Sequence, residues 1–199
     1  MPILLSDQIV DRWNWGTRVD LWQDHRPSES WCARLLAYVK TTDEPFILMQ
    51  DDFWLNEEVR IDLVEHCHDQ MVLLGAGCVR LYPCPGGDLH YGDKYVALVP
   101  ANAPYRISCQ SAIWNPRYVE FLLERTKAAD AWEFEQLCTP ISRENPAPVL
   151  AYKREMKPWP MEYFCSAVTR GKWTLGVKEF CEKVGVTDVD WGVRPFASA

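Results

Sequence analysis

The sequence is short of the features that mark several functional classes. Its eight cysteines form no Cys-x-x-Cys pair, so the usual zinc-ribbon and thioredoxin spacings are missing. It has no long Lys/Arg run, and its net charge is −7. That balance argues against a broad electrostatic grip on nucleic acid. No apolar run approaches the length of a membrane span. The N-terminus has no basic segment followed by an apolar stretch, so no secretory signal is expected. The one glycine-rich loop, Pro85-Gly86-Gly87-Asp88, lacks the Lys-Ser/Thr of a phosphate-binding loop and reads as a turn. No repeat or low-complexity segment stands out.

What remains describes a globular protein of 199 residues, 48% apolar and 25% charged, with ten tryptophans. This length favours one domain over 1–199 with a real core. Most cysteines sit among apolar residues, as in Ile107-Ser108-Cys109 and Phe164-Cys165. That pattern suits buried, reduced thiols in a cytoplasmic protein.

Pro2 to Asp7 reads as a short strand and Asp20 to Ser30 as a loop. Ser28 or Ser30 is placed to cap a helix with Trp31, Leu35 and Val39 on one face. Phe46 to Met49 is the clearest buried strand, and its continuous apolar run suits a parallel strand covered on both faces. Asn56 is placed to cap a helix carrying Val59, Leu63, Val64 and Cys67. Strands are expected at Met71–Leu74, Cys78–Tyr82, Tyr95–Val99 and Tyr105–Ala112. Asn115-Pro116 starts a helix, and Asp130 starts another in capping-box fashion. Thr139 to Pro148 reads as a loop, Glu162 to Val168 as a strand and Thr174 to Val184 as a last helix. The alternation implies an α/β fold: a mainly parallel or mixed sheet sandwiched by helices.

Asp51 and Asp52 follow the Phe46–Met49 strand directly. In α/β sheets, ligands bind beyond the carboxyl ends of strands. Two carboxylates there suit a divalent cation that in turn holds a diphosphate, and loop acids are the plain alternative. His66 and His68 point apart on a helix, so zinc is not expected there. His90 has no partner in the sequence pattern.

Three further stretches join the acids: Tyr105-Arg106-Ile107-Ser108-Cys109-Gln110-Ser111-Ala112-Ile113-Trp114, Ala131-Trp132-Glu133-Phe134-Glu135 and Arg170-Gly171-Lys172-Trp173. The ordered set, over roughly Trp31 to Val186, resembles a family of bacterial and viral glycosyltransferase-like proteins of the GT-A, nucleotide-diphospho-sugar transferase type. The resemblance implies a metal-assisted transfer from a nucleotide-sugar, a UDP-sugar above all, to an unidentified acceptor hydroxyl. Asp52 would hold Mn²⁺ or Mg²⁺, and Asp51 the ribose or the metal. Arg106 and Lys172 would meet the diphosphate. Gln110, Trp114, Trp132 and Trp173 would shape the sugar and acceptor pockets. The Trp-Glu-Phe-Glu stretch resembles the position of the general base. Glu133 lies three residues after Asp130 and is committed to the capping box, which leaves Glu135 as the base.

The acidic motif reads Gln-Asp-Asp, and fifty residues precede its acids. That is few for the βα units that cradle a nucleotide, so the resemblance implies a shortened N-terminal part. A non-catalytic binding module of the same fold is the second reading. A phosphohydrolase with Asp51 as nucleophile is the third. Oligomeric state is open, a homo-oligomer included.

Overall fold

The structure, a computed structural model, describes residues 3–5, 30–50, 52–192 and 194–197. In chain order the elements are β1 (Ile3–Leu5), α1 (Trp31–Val39), β2 (Phe46–Met49), β3 (Trp54–Leu55) and α2 (Ile61–Leu74). Then come β4 (Cys78–Arg80), β5 (Val96–Leu98), β6 (Ala112–Trp114), α3 (Pro116–Glu124), α4 (Ala131–Ile141) and β7 (Val149–Tyr152). The last are β8 (Tyr163–Phe164), β9 (Val168–Thr169), β10 (Lys172–Trp173) and α5 (Val177–Lys183). The chain forms two compact units. Unit 1 comprises residues up to Gln50 and Arg60–Pro160, and unit 2 comprises Asp51–Val59 with Met161–Ala199.

Unit 1 is α/β. Its sheet runs β1-β2-β6-β4-β7-β5. Only β1–β2 and β4–β7 pair in parallel; the other three pairings are antiparallel. The sheet is therefore mixed. β2 meets a parallel neighbour on one side and an antiparallel one, β6, on the other. Every residue of β2 and β7 is buried, as expected of strands covered on both faces. Phe46, Leu48, Trp114, Val149 and Ala151 form one core cluster with Leu35, Val39, Val119, Leu122 and Phe134 of α1, α3 and α4.

Three helix starts follow from local chemistry. Side chains of Ser30, Asn115 and Asp130 accept hydrogen bonds from the backbone N–H groups of Ala33, Arg117 and Glu133. Each satisfies a donor that the first turn leaves open. Glu133 in turn accepts from the Ala129 N–H at 2.8 Å, so it is spent on the helix start.

Other elements depart from expectation. α2 begins at Ile61, not after Asn56, because Asn56 donates its N–H to Glu162 O at 3.1 Å. α2 also runs through Met71–Leu74, which the sequence gives to a strand. It ends at Gly75, whose φ of 60° is the left-handed stop that glycine permits. Most of Tyr105–Ala112 is irregular, and the strand there is only β6. Pro140 lies inside α4, so the expected loop from Thr139 starts later. β7 follows Pro148 and has no counterpart in the expectations.

Unit 2 is small and aromatic. β3 pairs with β8 and β9 with β10, both antiparallel. The ring of Phe53 stacks on Tyr163 at 4.8 Å, and Trp54 packs between Trp173 and Phe180 at 6.0 Å from each. The expected strand Glu162–Val168 is thus split between two hairpin arms. Arg170 and Gly171 form the β9–β10 turn with φ of 51° and 75°. Positive φ at both positions matches the twist of a two-residue hairpin.

Candidate active site

Glu135 lies one turn into α4, half-buried. Its Oε1 accepts two hydrogen bonds, from the Cys109 N–H at 2.7 Å and the Ser108 hydroxyl at 3.1 Å. Its Oε2 has no partner among the described residues. One turn on, the Thr139 hydroxyl accepts from the Ile107 N–H at 3.1 Å. One turn back, the Cys109 thiol reaches Ala131 O at 3.5 Å. Residues 131, 135 and 139 share one helix face, and that face straps down the irregular segment 107–109. The Ser108 and Glu135 positions, far apart in sequence, are thereby joined.

Two arginines lie in the same interior. Arg80 is fully buried. It donates to the carbonyls of Pro85, Tyr105 and Arg106, the last two at 2.7 and 2.5 Å. It holds the ends of two loops, and burial pushes its pKa down. The sequence reading missed it. A charge inside the otherwise apolar run Cys78-Val79-Arg80-Leu81 was the available signal. Arg106, expected at a diphosphate, is buried too, at 6% exposure.

The remaining pocket candidates separate. Trp114 is fully buried in the core, against Tyr118 and Phe134, so it is a packing residue and not the wall of an open pocket. Trp132 is exposed. Gln110 is half-buried, with its N–H toward the Ser108 hydroxyl at 3.4 Å.

In unit 2, Asp52 accepts a short hydrogen bond at Oδ2 from the Ser166 hydroxyl. Its carbonyl accepts from the Ala167 N–H at 2.9 Å. Its Oδ1 carries no further bond among the described residues. Asp51 lies outside the described residues. Lys172 is exposed. The glycine before it lies in the hairpin turn with a φ of 75°, and a Cβ there meets nothing within 4 Å. Trp173 is committed to unit 2: its Nε1 donates to Trp191 O at 3.0 Å.

His66 finds a structural partner. Its Nε2 lies 3.0 Å from Asp93 Oδ2. Asp93 Oδ1 also accepts from the N–H groups of Tyr95 and Val96 at 2.8 and 2.7 Å. Burial alone raises the Asp93 pKa; the two N–H donors and His66 outweigh it, and the net shift is downward. A depressed carboxyl pKa means that its stabilising effect is present above the unfolded value, about 3.9, and is lost as pH falls through the folded value. Acid denaturation of wild type should therefore lose stability below about pH 4 more steeply than Asp93→Asn. Equal acid limbs in urea titrations would remove Asp93 from that role.

Among the described residues no three His, Cys, Asp or Glu side chains group as a metal site, and no helix is long and apolar enough to cross a membrane. No known family model matches the chain, and no curated protein matches it.

Proposed function

We propose that the chain is a glycosyltransferase that moves a sugar from a nucleotide-diphospho-sugar to an acceptor hydroxyl. The observation that carries this reading is the state of Glu135. One carboxylate oxygen is fixed by two donors, and the other is uncommitted. Such a group is oriented without being consumed, as a general base requires. Glu135 Oε2 takes the proton of the acceptor hydroxyl, whose oxygen attacks the anomeric carbon as the nucleoside diphosphate leaves.

Unit 2 carries a separate candidate, Asp52, for binding a metal-bound diphosphate. A hard divalent cation on a diphosphate needs only one or two protein carboxylates, because phosphate oxygens and water complete its shell. Asp52 Oδ1 fits one such position, with Ser166 orienting the carboxylate through the other oxygen. Mn²⁺ or Mg²⁺ held there would offset the charge of a bound diphosphate. Lys172, exposed and also in unit 2, would add a positive charge.

Calorimetric titration with UDP, with and without Mn²⁺, tests the donor side. Wild type should bind in a Mn²⁺-dependent manner. Asp52→Ala should weaken binding by more than about tenfold, the lower end of what even indirect metal partners contribute. No binding by wild type under either condition removes UDP-sugars as donors. Slow release of sugar from a bound UDP-sugar, without acceptor, separates a transferase from a binding module of the same fold.

A further inference from the structure

Tyr105 and Trp132, both in unit 1, are 53% and 66% exposed. Among the described residues neither ring stacks on another, and neither the phenol hydroxyl nor the indole N–H makes a hydrogen bond. Tyr105 also holds a φ of 50°, which bulky L-residues rarely take. At Arg170 the same conformation belongs to a hairpin turn; no hairpin accounts for it at Tyr105. Arg80 fixes the Tyr105 peptide by donating to its carbonyl at 2.7 Å. Glycine would adopt this backbone freely, so a tyrosine adds only its exposed ring. Strained positions of this kind gather at ligand clamps.

The two rings lie on opposite sides of Glu135. Trp132 precedes it by three residues on α4, which puts both on one flank. Segment 107–109 runs against α4 in the opposite sense. The Ile107 N–H meets Thr139, the Cys109 N–H meets Glu135 and the Cys109 thiol meets Ala131 O. Tyr105 therefore enters from the C-terminal side of Glu135, with Trp132 on the N-terminal side. The guanidinium that holds the Tyr105 carbonyl also feels the charge of Glu135, so both lie within reach of one side chain. Glu135 Oε2 and the exposed side chain of Gln136 supply polar groups on the same flank.

We propose that this flank of α4 binds a neutral carbohydrate chain, with one sugar on Trp132, another on Tyr105 and a hydroxyl between them at Glu135. A pyranose presents C–H faces to aromatic rings and hydroxyls at its edges. Separate rings with polar groups between them suit that ligand, whereas a protein partner favours a contiguous apolar patch. Nucleic-acid bases also stack, but a net charge of −7 and a carboxylate between the rings repel a phosphate backbone. That the glycan serves as acceptor rests on the transferase reading; that it binds does not.

Saturation-transfer NMR titrations of the full chain with maltohexaose, cellohexaose and chitohexaose test the surface. At least one hexasaccharide should bind. Trp132→Ala and Tyr105→Gly should each weaken that binding by about tenfold, a common effect of removing an aromatic anchor. Leu137→Ala, at an exposed residue on the other side of α4, should leave it unchanged. Tyr105→Gly has a second readout: its thermal midpoint should hold or rise, because glycine relieves the strain. A lowered midpoint would make Tyr105 a packing residue and overturn its role. Binding of no hexasaccharide at millimolar concentration overturns the proposal, as does equal binding by wild type and both ring variants. UDP titration of the same preparation separates the two readings. Glycan binding without UDP binding keeps this surface and drops the transferase, and UDP binding without glycan binding drops the surface alone.

Discussion

Gly77→Ala is expected to destabilise the fold by about 1–3 kcal/mol, the usual range for overpacking a filled core. A Cβ at Gly77 falls 2.3 Å from Cγ of Tyr118 and within 2.6 Å of both Cδ atoms. Neither partner can retreat cheaply. The Tyr118 ring is buried, with Trp114 on one side and Phe121 on another, each 6.5 Å away. The Gly77 backbone is pinned at both ends: its N–H donates to Pro148 O at 2.9 Å, and its carbonyl accepts from Asn115 N–H at 3.0 Å. The opposing gain, from restricting the unfolded chain, is only about 0.4–1 kcal/mol. Urea denaturation should show a lower midpoint at unchanged slope. In a Tyr118→Ala background the same substitution should cost almost nothing, which gives a large coupling energy between the two positions. A single mutant as stable as wild type would mean that the ring does not lie over Gly77.

This contact shows what a sequence can and cannot convey. In the sequence Gly77 is one of three small residues after an expected strand, and nothing nearby in the chain says that a tyrosine forty-one positions later covers it. Features set within a few residues were legible. Ser30, Asn115 and Asp130 cap their helices because a short polar side chain reaches N–H groups two or three residues ahead. Phe46–Met49 was legible because four consecutive apolar residues can only be buried. Features set by distant partners were not. Asn56 has good capping chemistry, but the chain around it pairs with residues 162–164. Tyr105–Ser111 has the composition of a strand, yet Arg80 and the face of α4 hold it in irregular form.

The candidate site divides along the same line. The choice of Glu135 over Glu133 followed from capping-box spacing, and Glu133 is indeed tied to Ala129. The Ser108–Glu135 and Ser166–Asp52 pairs span 27 and 114 residues, beyond any local rule. Arg106 was placed by resemblance, and its burial could be known only from the fold.

The two roles open to Glu135 predict different outcomes for two substitutions. In Glu135→Gln the amide oxygen can still accept from Cys109 N–H and the Ser108 hydroxyl, so the strap on segment 107–109 stays. What goes is the capacity to take a proton. Transfer should fall by about 10²–10⁴, the usual contribution of a general base, with donor binding retained and the urea midpoint nearly unchanged. Glu135→Ala removes the acceptor as well. It strands the N–H of buried Cys109, at a cost of about 1–3 kcal/mol, so stability and transfer should both fall. Full transfer activity in Glu135→Gln beside a destabilised Glu135→Ala would make the carboxylate a brace and nothing more. That outcome would leave the transferase without its base and shift the argument to the binding module. Loss of transfer in Glu135→Gln, with its midpoint intact, cannot come from a loosened strap. It would assign the chemistry to the oxygen that the fold leaves free.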